Sequence, residues 1–296
     1  MIEGVSPLPA HGRIRWFSPW QGVFVLAWLA VFLTAFPDPL AVAQRHWPLA
    51  LVGFAGAVLG NATAVGGGLV FVPVMMLVYG LDPVRSLQLA LVSQAVGMTS
   101  GAFGWLSRRA VPLELLPVAV PALLVGSTLS TLVVRPNPLL VKGMFGPASV
   151  FVGLVVLYLL DRHPVGVAGV PRRAWPALAA VALVGGVLTG WVAIGEGEVV
   201  AAFLMLAYGL SAERGIGLGT VLLSINSIFL AVLHAFVVGG VPWEMAAFTM
   251  LGCAFGGRMG PFLTQWMPPR RLKVGFAALA IADGLLMTWQ FLRSFG

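Results

Sequence analysis

Charge is scarce in this sequence. Lysine, arginine, aspartate and glutamate make up 9% of its 296 residues, while 59% are hydrophobic and the mean hydropathy is +0.97. A soluble domain carries roughly 25% charged residues, so the balance excludes an ordinary water-soluble fold and points to helices packed through a lipid bilayer. No stretch is both long and polar enough to form a separate soluble domain. Cysteine is nearly absent: Cys253 stands alone, which excludes an intramolecular disulfide, a CxxC redox pair and a thiolate metal cluster. The histidines are scattered at His11, His46, His163 and His234 and offer no metal-ligand spacing. HExxH, GxSxG, paired aspartates and a Walker loop are all missing, so neither an intramembrane hydrolase nor an ATP-driven pump is expected. The expectation is no enzyme, no cofactor and no metal.

The cations that remain give a net charge of +7. In a soluble protein this would suggest nucleic acid. Here they sit in short loops, where membrane topology accounts for them and no nucleic-acid partner is expected. Most of the ten tryptophans, among them Trp20, Trp47, Trp105, Trp175 and Trp243, fall near segment ends, as an interfacial belt requires.

Taken in order, residues 1–46 read as a polar, basic lead followed by one apolar helix from Gln21 to Phe36. Ala41-Val42-Ala43 would also suit signal-peptide cleavage; Pro37 and Pro39 ending a retained helix is the reading adopted. The apolar stretch from Trp47 to Gly80 is too long for one crossing and is interrupted by Gly66-Gly67-Gly68, where helix propensity fails. Two arms of about 12 residues would each be about 18 Å long, short of the roughly 30 Å hydrocarbon core. A hairpin that enters and returns fits better. Segments 84–106, 113–134 and 139–160 are each long enough to span. Residues 161–174 form a polar, basic linker. The order then repeats over 175–296, with a broken segment 175–210 and spans at 215–238, 243–262 and 272–292.

Sliding the chain on itself by 129 positions aligns the two broken segments without a gap. Val58, Leu59, Ala64, Gly66, Gly68, Val70, Met76, Leu77, Tyr79, Gly80, Leu81 and Arg85 fall on Val187, Leu188, Ala193, Gly195, Gly197, Val199, Met205, Leu206, Tyr208, Gly209, Leu210 and Arg214. The shared Gly-x-Gly and Tyr-Gly-Leu exceed what apolar bias supplies. The fold expected is an all-α polytopic membrane protein of two homologous repeats, 47–160 and 175–296, each a broken or hairpin segment plus three transmembrane helices, with one extra N-terminal helix. If each broken segment returns to its starting side, each half has three net crossings and the repeats are inverted. With the N-terminus inside, Arg13, Arg15, Arg108, Arg109, Arg162, Arg172, Arg173, Arg214, Arg270, Arg271 and Lys273 then lie inside. Arg45, Arg85, Arg135, Lys142 and Arg293 lie outside. Single crossings would even out this asymmetry, so the positive-inside rule favours the hairpins and a cytoplasmic N-terminus.

The run from Gly60 through Thr63-Ala64-Val65-Gly66-Gly67-Gly68-Leu69-Val70-Phe71-Val72-Pro73, with Tyr79-Gly80-Leu81 beyond it, resembles the glycine-rich signature of the sulfite exporter TauE/SafE family. Gly190-Trp191-Val192-Ala193-Ile194-Gly195-Glu196-Gly197-Glu198 resembles that family's second signature. The resemblance extends over about residues 47–292. It implies a multi-pass transporter of the plasma (inner) membrane that carries small sulfur-containing anions such as sulfite, sulfoacetate or related sulfonates, with export as the expected direction. One departure stands out: Glu196 and Glu198 intrude where the family's second copy usually reads as a glycine triplet. An anion channel with a glycine-lined pore, or a carrier of another small organic anion, stays open, as does self-association into a homo-oligomer.

The residues agree with anion transport on physical grounds. Backbone N–H groups exposed at Gly66, Gly67 and Gly68 and at Gly195 and Gly197, each ahead of a half-helix N-terminus, favour negative charge. Close helix packing is the plainer role for glycine. Asn61 and Thr63 could donate to an oxyanion or merely cap a half-helix. Gln94, Ser224 and Asn226 lie near mid-depth, where they could line a path or bond neighbouring helices, and Ser93 is similar. Glu196 and Glu198 are candidates for coupling or gating, since a carboxylate at membrane depth is costly and usually functional; near a membrane face both would simply be solvated. His234 reads as structural and Arg258 as reaching toward the surface, while Asp283 has no assigned role.

Overall fold

The computed structural model describes residues 19–63, 66–109, 111–159, 169–266 and 269–293. The described residues form helices α1 (Pro19–Ala35), α2 (Pro39–His46), α3 (Pro48–Thr63), α4 (Gly68–Leu77), α5 (Pro83–Ser107), α6 (Leu116–Thr128), α7 (Pro138–Tyr158), α8 (Trp175–Val192), α9 (Glu196–Tyr208), α10 (Ala212–Leu233), α11 (Trp243–Trp266) and α12 (Pro269–Arg293), with no strand among them. The lead 1–18 and most of the 161–174 linker lie outside the described residues.

Five stretches are long and apolar enough to cross a membrane alone: Pro83–Ser107, Leu113–Val133, Pro138–Tyr158, Arg172–Val192 and Glu213–Val238. A sixth arises if α1 and α2, bent by 118°, are one span. Proline and aspartate set that bend. Pro37 follows α1, and Asp38 caps α2 by accepting from the Ala41 N–H at 3.0 Å, with Pro39 at the first helical position. α1 is fastened to α11 by the Gln21 amide on Ala254 O (3.0 Å) and the Trp28 indole N–H on Ala247 O (2.8 Å).

The arms of the broken segments differ from the equal lengths expected. α3 has 16 residues and α4 has 10, while α8 has 18 and α9 has 13. At 1.5 Å per residue these are about 24, 15, 27 and 20 Å. Each break therefore falls late in its segment, because the glycines sit closer to its C-terminal end. A long arm enters and a short one follows.

Close contacts fix the helix directions. Ala57 lies against Gly97 and Asn61 against Gly101, so α3 runs with α5. α11 runs with both: Thr249 meets Gly53, Cys253 meets Gly97, and Gly257 meets Ser100. α10 runs against α5, with Gly217 on Trp105 near one end and the Gln88 amide 3.4 Å from His234 Nδ1 near the other. α8 runs with α6, since Ser127 meets Gly186 and Ser130 meets Gly190. α9 turns back along α10, bringing Met205 to Gly215 and Gly197 to Gly219. α7 and α12 run antiparallel, pairing Gly146 with Thr288 and Gly153 with Ala277. The principal packing partners are α3 with α11, α6 with α8, α5 with α10 and α7 with α12.

These directions sort the chain ends. Arg45, Arg85, Arg135, Lys142 and Arg293 fall at one end of the bundle. Arg108, Arg109, Arg172, Arg173, Arg214, Arg270 and Arg271 fall at the other. At the second end Arg108 lies over the Trp105 ring and Arg172 over the Trp175 ring, at 5.1 and 5.6 Å.

Candidate functional site

The two chain breaks meet. α8 ends at Ala193, held in the left-handed region at φ 58°, and Gly195 follows at φ 112°. A side chain rarely adopts the second of these, so glycine is required there. Gly66 and Gly68 press on the Ala193 carbonyl so closely that a methyl on either would lie 2.4 or 2.6 Å from its oxygen. Glycine lets the first break reach the second.

Helix α9 begins at once with Glu196-Gly197-Glu198. Carboxylates in a first turn answer the positive end of the helix. Glu198, third in α9, folds back to accept the Gly195 N–H at 3.1 Å through Oε2, the acidic half of a capping box. Its other oxygen accepts the Gly66 N–H, also at 3.1 Å, from 132 residues away. One carboxylate thus holds backbone N–H groups from both breaks.

Glu196 points elsewhere. Its Oε2 accepts from the Asn226 amide of α10, and Asn226 Oδ1 accepts from the Ser127 hydroxyl of α6 at 2.7 Å. Glu196 is 0% exposed and Glu198 5%, so neither is solvated at a membrane face. Among the described residues neither forms an ion pair. Among the described residues Glu196 Oε1 has no hydrogen-bond partner.

Of the other residues singled out from sequence, Gln94 is in place. It is 1% exposed and lies beside Gly66. Its amide donates to Ser227 Oγ at 2.9 Å, and its Oε1 is buried without a partner. Gly67 and Gly68 begin α4, the Gly67 carbonyl accepting from Val70 and Phe71. Gly197 packs its backbone on Gly219. Thr63 donates to Leu59 O at 2.9 Å and lines a cavity of about 50 Å³ with Glu198, Leu159, Met205 and Ile216. Ser224 joins Thr99 across the α5–α10 contact at 2.8 Å. Asn61 is not at the meeting of the breaks. Its amide is committed to Ala57 O and Gly97 O at 2.9 and 3.0 Å, and it wedges α3 between Gly101 and Gly260.

Sequence reasoning missed Ser127 and Ser227, which hold Asn226 and Gln94. Ser127 stands in the hydroxyl-rich run Ser127-Thr128-Leu129-Ser130-Thr131 and Ser227 directly after Asn226; the adjacency to Asn226 was the one signal that could have found Ser227. His234 is buried beside Gln88 at the Arg85 end of the bundle, away from the breaks. Cys253 is buried and donates to Gly53 O at 3.3 Å, serving the α3–α11 contact.

Buried carboxylates and opened backbone, enclosed by membrane-length apolar helices, define a polytopic membrane protein with a polar centre. A model of the sulfite exporter TauE/SafE family matches residues 10–156 and 49–287. The second match alone covers well over half of the chain. The chain belongs to the sulfite exporter TauE/SafE family. Membership implies a membrane transporter of sulfite or related anions. No curated relative and no solved structure gives a match.

Proposed function

We propose that this protein is a secondary transporter that exports sulfite or a related small sulfur oxyanion, binding it where the two breaks meet and exposing it alternately to the two membrane faces. One observation carries this reading: N–H groups from both breaks, Gly66 and Gly195, converge on a single buried negative group. The half-helices α4 and α9 both start at that point and direct their positive ends to it. Sulfite offers three oxygens that accept such donors, with Gln94 near enough to contribute its amide after rotation. Glu196 and Glu198 serve coupling and gating, while Gly67, Gly68 and Gly197 let the breaks close on the anion. Thr63, Ser224 and Asn226 border the path, and Asn61 braces it from α3.

The chain is read as two inverted repeats, α3–α7 and α8–α12. α3, α5, α6 and α7 run opposite to α8, α10, α11 and α12, and the pairings α3–α11 and α8–α6 exchange under that correspondence. α3 with α4, and α8 with α9, act as hairpins entering from opposite faces. The family match over two overlapping stretches agrees with an internal duplication. The Arg108–Arg214 end is taken as cytoplasmic by the positive-inside rule, which puts the N-terminus inside the inner membrane.

Sulfite flux in proteoliposomes tests the function. A carrier gives uptake that saturates with sulfite and is accelerated by sulfite on the far side. Flux that rises linearly and shows no such acceleration would mark a channel, and no flux would reject the assignment.

A further inference from the structure

Glu198 does at the meeting of the breaks what a bound substrate would have to do. Its two oxygens take the Gly66 and Gly195 N–H groups at 3.1 Å each. These are the donors that the proposed function gives to the anion. When ionised, a carboxylate with each oxygen on a backbone N–H accepts charge-assisted hydrogen bonds. The surroundings leave room for only one such charge. Thr63 of α3 lines the same cavity as Glu198, with Val155, Val156 and Leu159 on the α7 side. Gln94 of α5 lies beside Gly66, and none of these titrates. Among the described residues Glu196, tied to Asn226 of α10, is the other ionisable group buried beside Glu198, and no basic side chain pairs with either. A second, substrate anion added beside an ionised Glu198 would meet uncompensated repulsion in a medium that screens poorly.

We propose that Glu198 is an internal competitor of the substrate, so that the anion enters the cradle only as Glu198 takes up one proton and releases the two N–H groups. The proposal rests on the transport reading above. The cavity beside Glu198 is wide enough for a few waters. It runs toward Leu159 and Ile216, which lie near the Arg108–Arg214 end, giving the carboxyl a route for its proton. The balance is closed. One proton from water at the loading face joins the carboxylate, one anion takes its place, and both leave at the other face as the carboxylate reclaims Gly66 and Gly195. With Glu196 unchanged throughout, the site carries the same charge empty and loaded. Each monovalent anion therefore crosses with one proton, and transport moves no net charge.

The test uses full-length protein in proteoliposomes with methanesulfonate, a monovalent sulfonate that carries no proton of its own. The wild type should move one proton per anion, show no response to an imposed potassium diffusion potential, and lose apparent affinity tenfold per pH unit once Glu198 is ionised. Glu198→Gln should carry the anion without protons, with pH-independent affinity and an accumulation ratio that shifts about 50-fold per 100 mV. If this variant fails to fold, proton stoichiometry and potential dependence of the wild type decide alone. Wild-type flux that is potential-driven and proton-free overturns the competition while leaving the transporter intact. Absence of both methanesulfonate and sulfite flux overturns the transport reading and this inference with it. A protein that carries sulfite alone is scored on sulfite, after subtracting that ion's own titration.

Discussion

Replacing Gly68 by alanine isolates the contact between the two breaks. The added methyl would lie 2.6 Å from the Ala193 carbonyl oxygen and 2.7 Å from its Cβ, about 0.8 Å inside ordinary van der Waals separation. Both atoms are fixed to backbone, so relief requires the breaks to part. The Gly66 N–H bond to Glu198, at 3.1 Å, would then pass out of hydrogen-bond range. By the same displacement an anion on Gly195 could no longer also reach Gly66. A hydrogen bond to a charged group contributes about 1.5–3 kcal/mol, so the half-saturating sulfite concentration should rise roughly 10- to 150-fold at 1.4 kcal/mol per decade. The assay is the concentration dependence of uptake into proteoliposomes at a pH low enough to protonate Glu198, where the loss of its own bond to Gly66 does not offset the anion's. Gly80→Ala is the control: φ there is +63° and no atom lies within 4 Å of an added methyl. It should cost about 1–2 kcal/mol of stability through left-handed strain and leave half-saturation unchanged. Wild-type half-saturation in Gly68→Ala, or an equal loss in both variants, would refute the reasoning.

Other perturbations reach separate parts of the account. Asn226→Leu strips Glu196 Oε2 of its donor and leaves the Ser127 hydroxyl with Gly186 O alone, so thermal unfolding in detergent should show a loss of about 1.5–3 kcal/mol. A neutral result would mean that the pair carries no weight. Cysteines replacing Arg45 and Arg85, in a Cys253→Ala background, should both react with an impermeant maleimide from one face, and those replacing Arg173 and Arg214 from the other. Labelling of Arg45 and Arg85 positions from opposite faces would mean that α3 and α4 cross the membrane once. Gly252→Ala would place a methyl 1.8 Å from Ala50 O and should cost about 1–3 kcal/mol by prising α3 from α11.

The breaks themselves were legible because their cause is local. Glycine triplets cannot sustain a helix, and the 129-residue repeat brought Gly195 forward as the counterpart of Gly66. Arm lengths were misjudged although the starts near Trp47 and at Trp175 were placed correctly: two equal arms ignored that the glycines stand nearer the C-terminal end of each segment. The acidic departure at Glu196 and Glu198 was plain, yet the division of labour between them was not. Glu198 touches Gly66 across 132 residues, a contact that no spacing encodes. The partners of Asn61 were hidden for a related reason: an amide ahead of a glycine break suits an oxyanion or a helix cap, and only the packing of α3 on α5 and α11 brings it to Gly97. α11 also shows where hydropathy runs out. It is 24 residues long, yet it is not among the helices apolar enough to cross alone, because its contact with α3 and α5 replaces lipid.

The central claim is that one small oxyanion binds between Gly66 and Gly195. Selenite, a heavier analogue of sulfite, makes that position visible by anomalous diffraction from crystals grown at a pH low enough to protonate Glu198. Binding there gives a selenium peak within hydrogen-bond reach of both N–H groups, with the Glu198 side chain displaced from them. A peak elsewhere in the bundle, with Glu198 still bonded to Gly66 and Gly195, would contradict it.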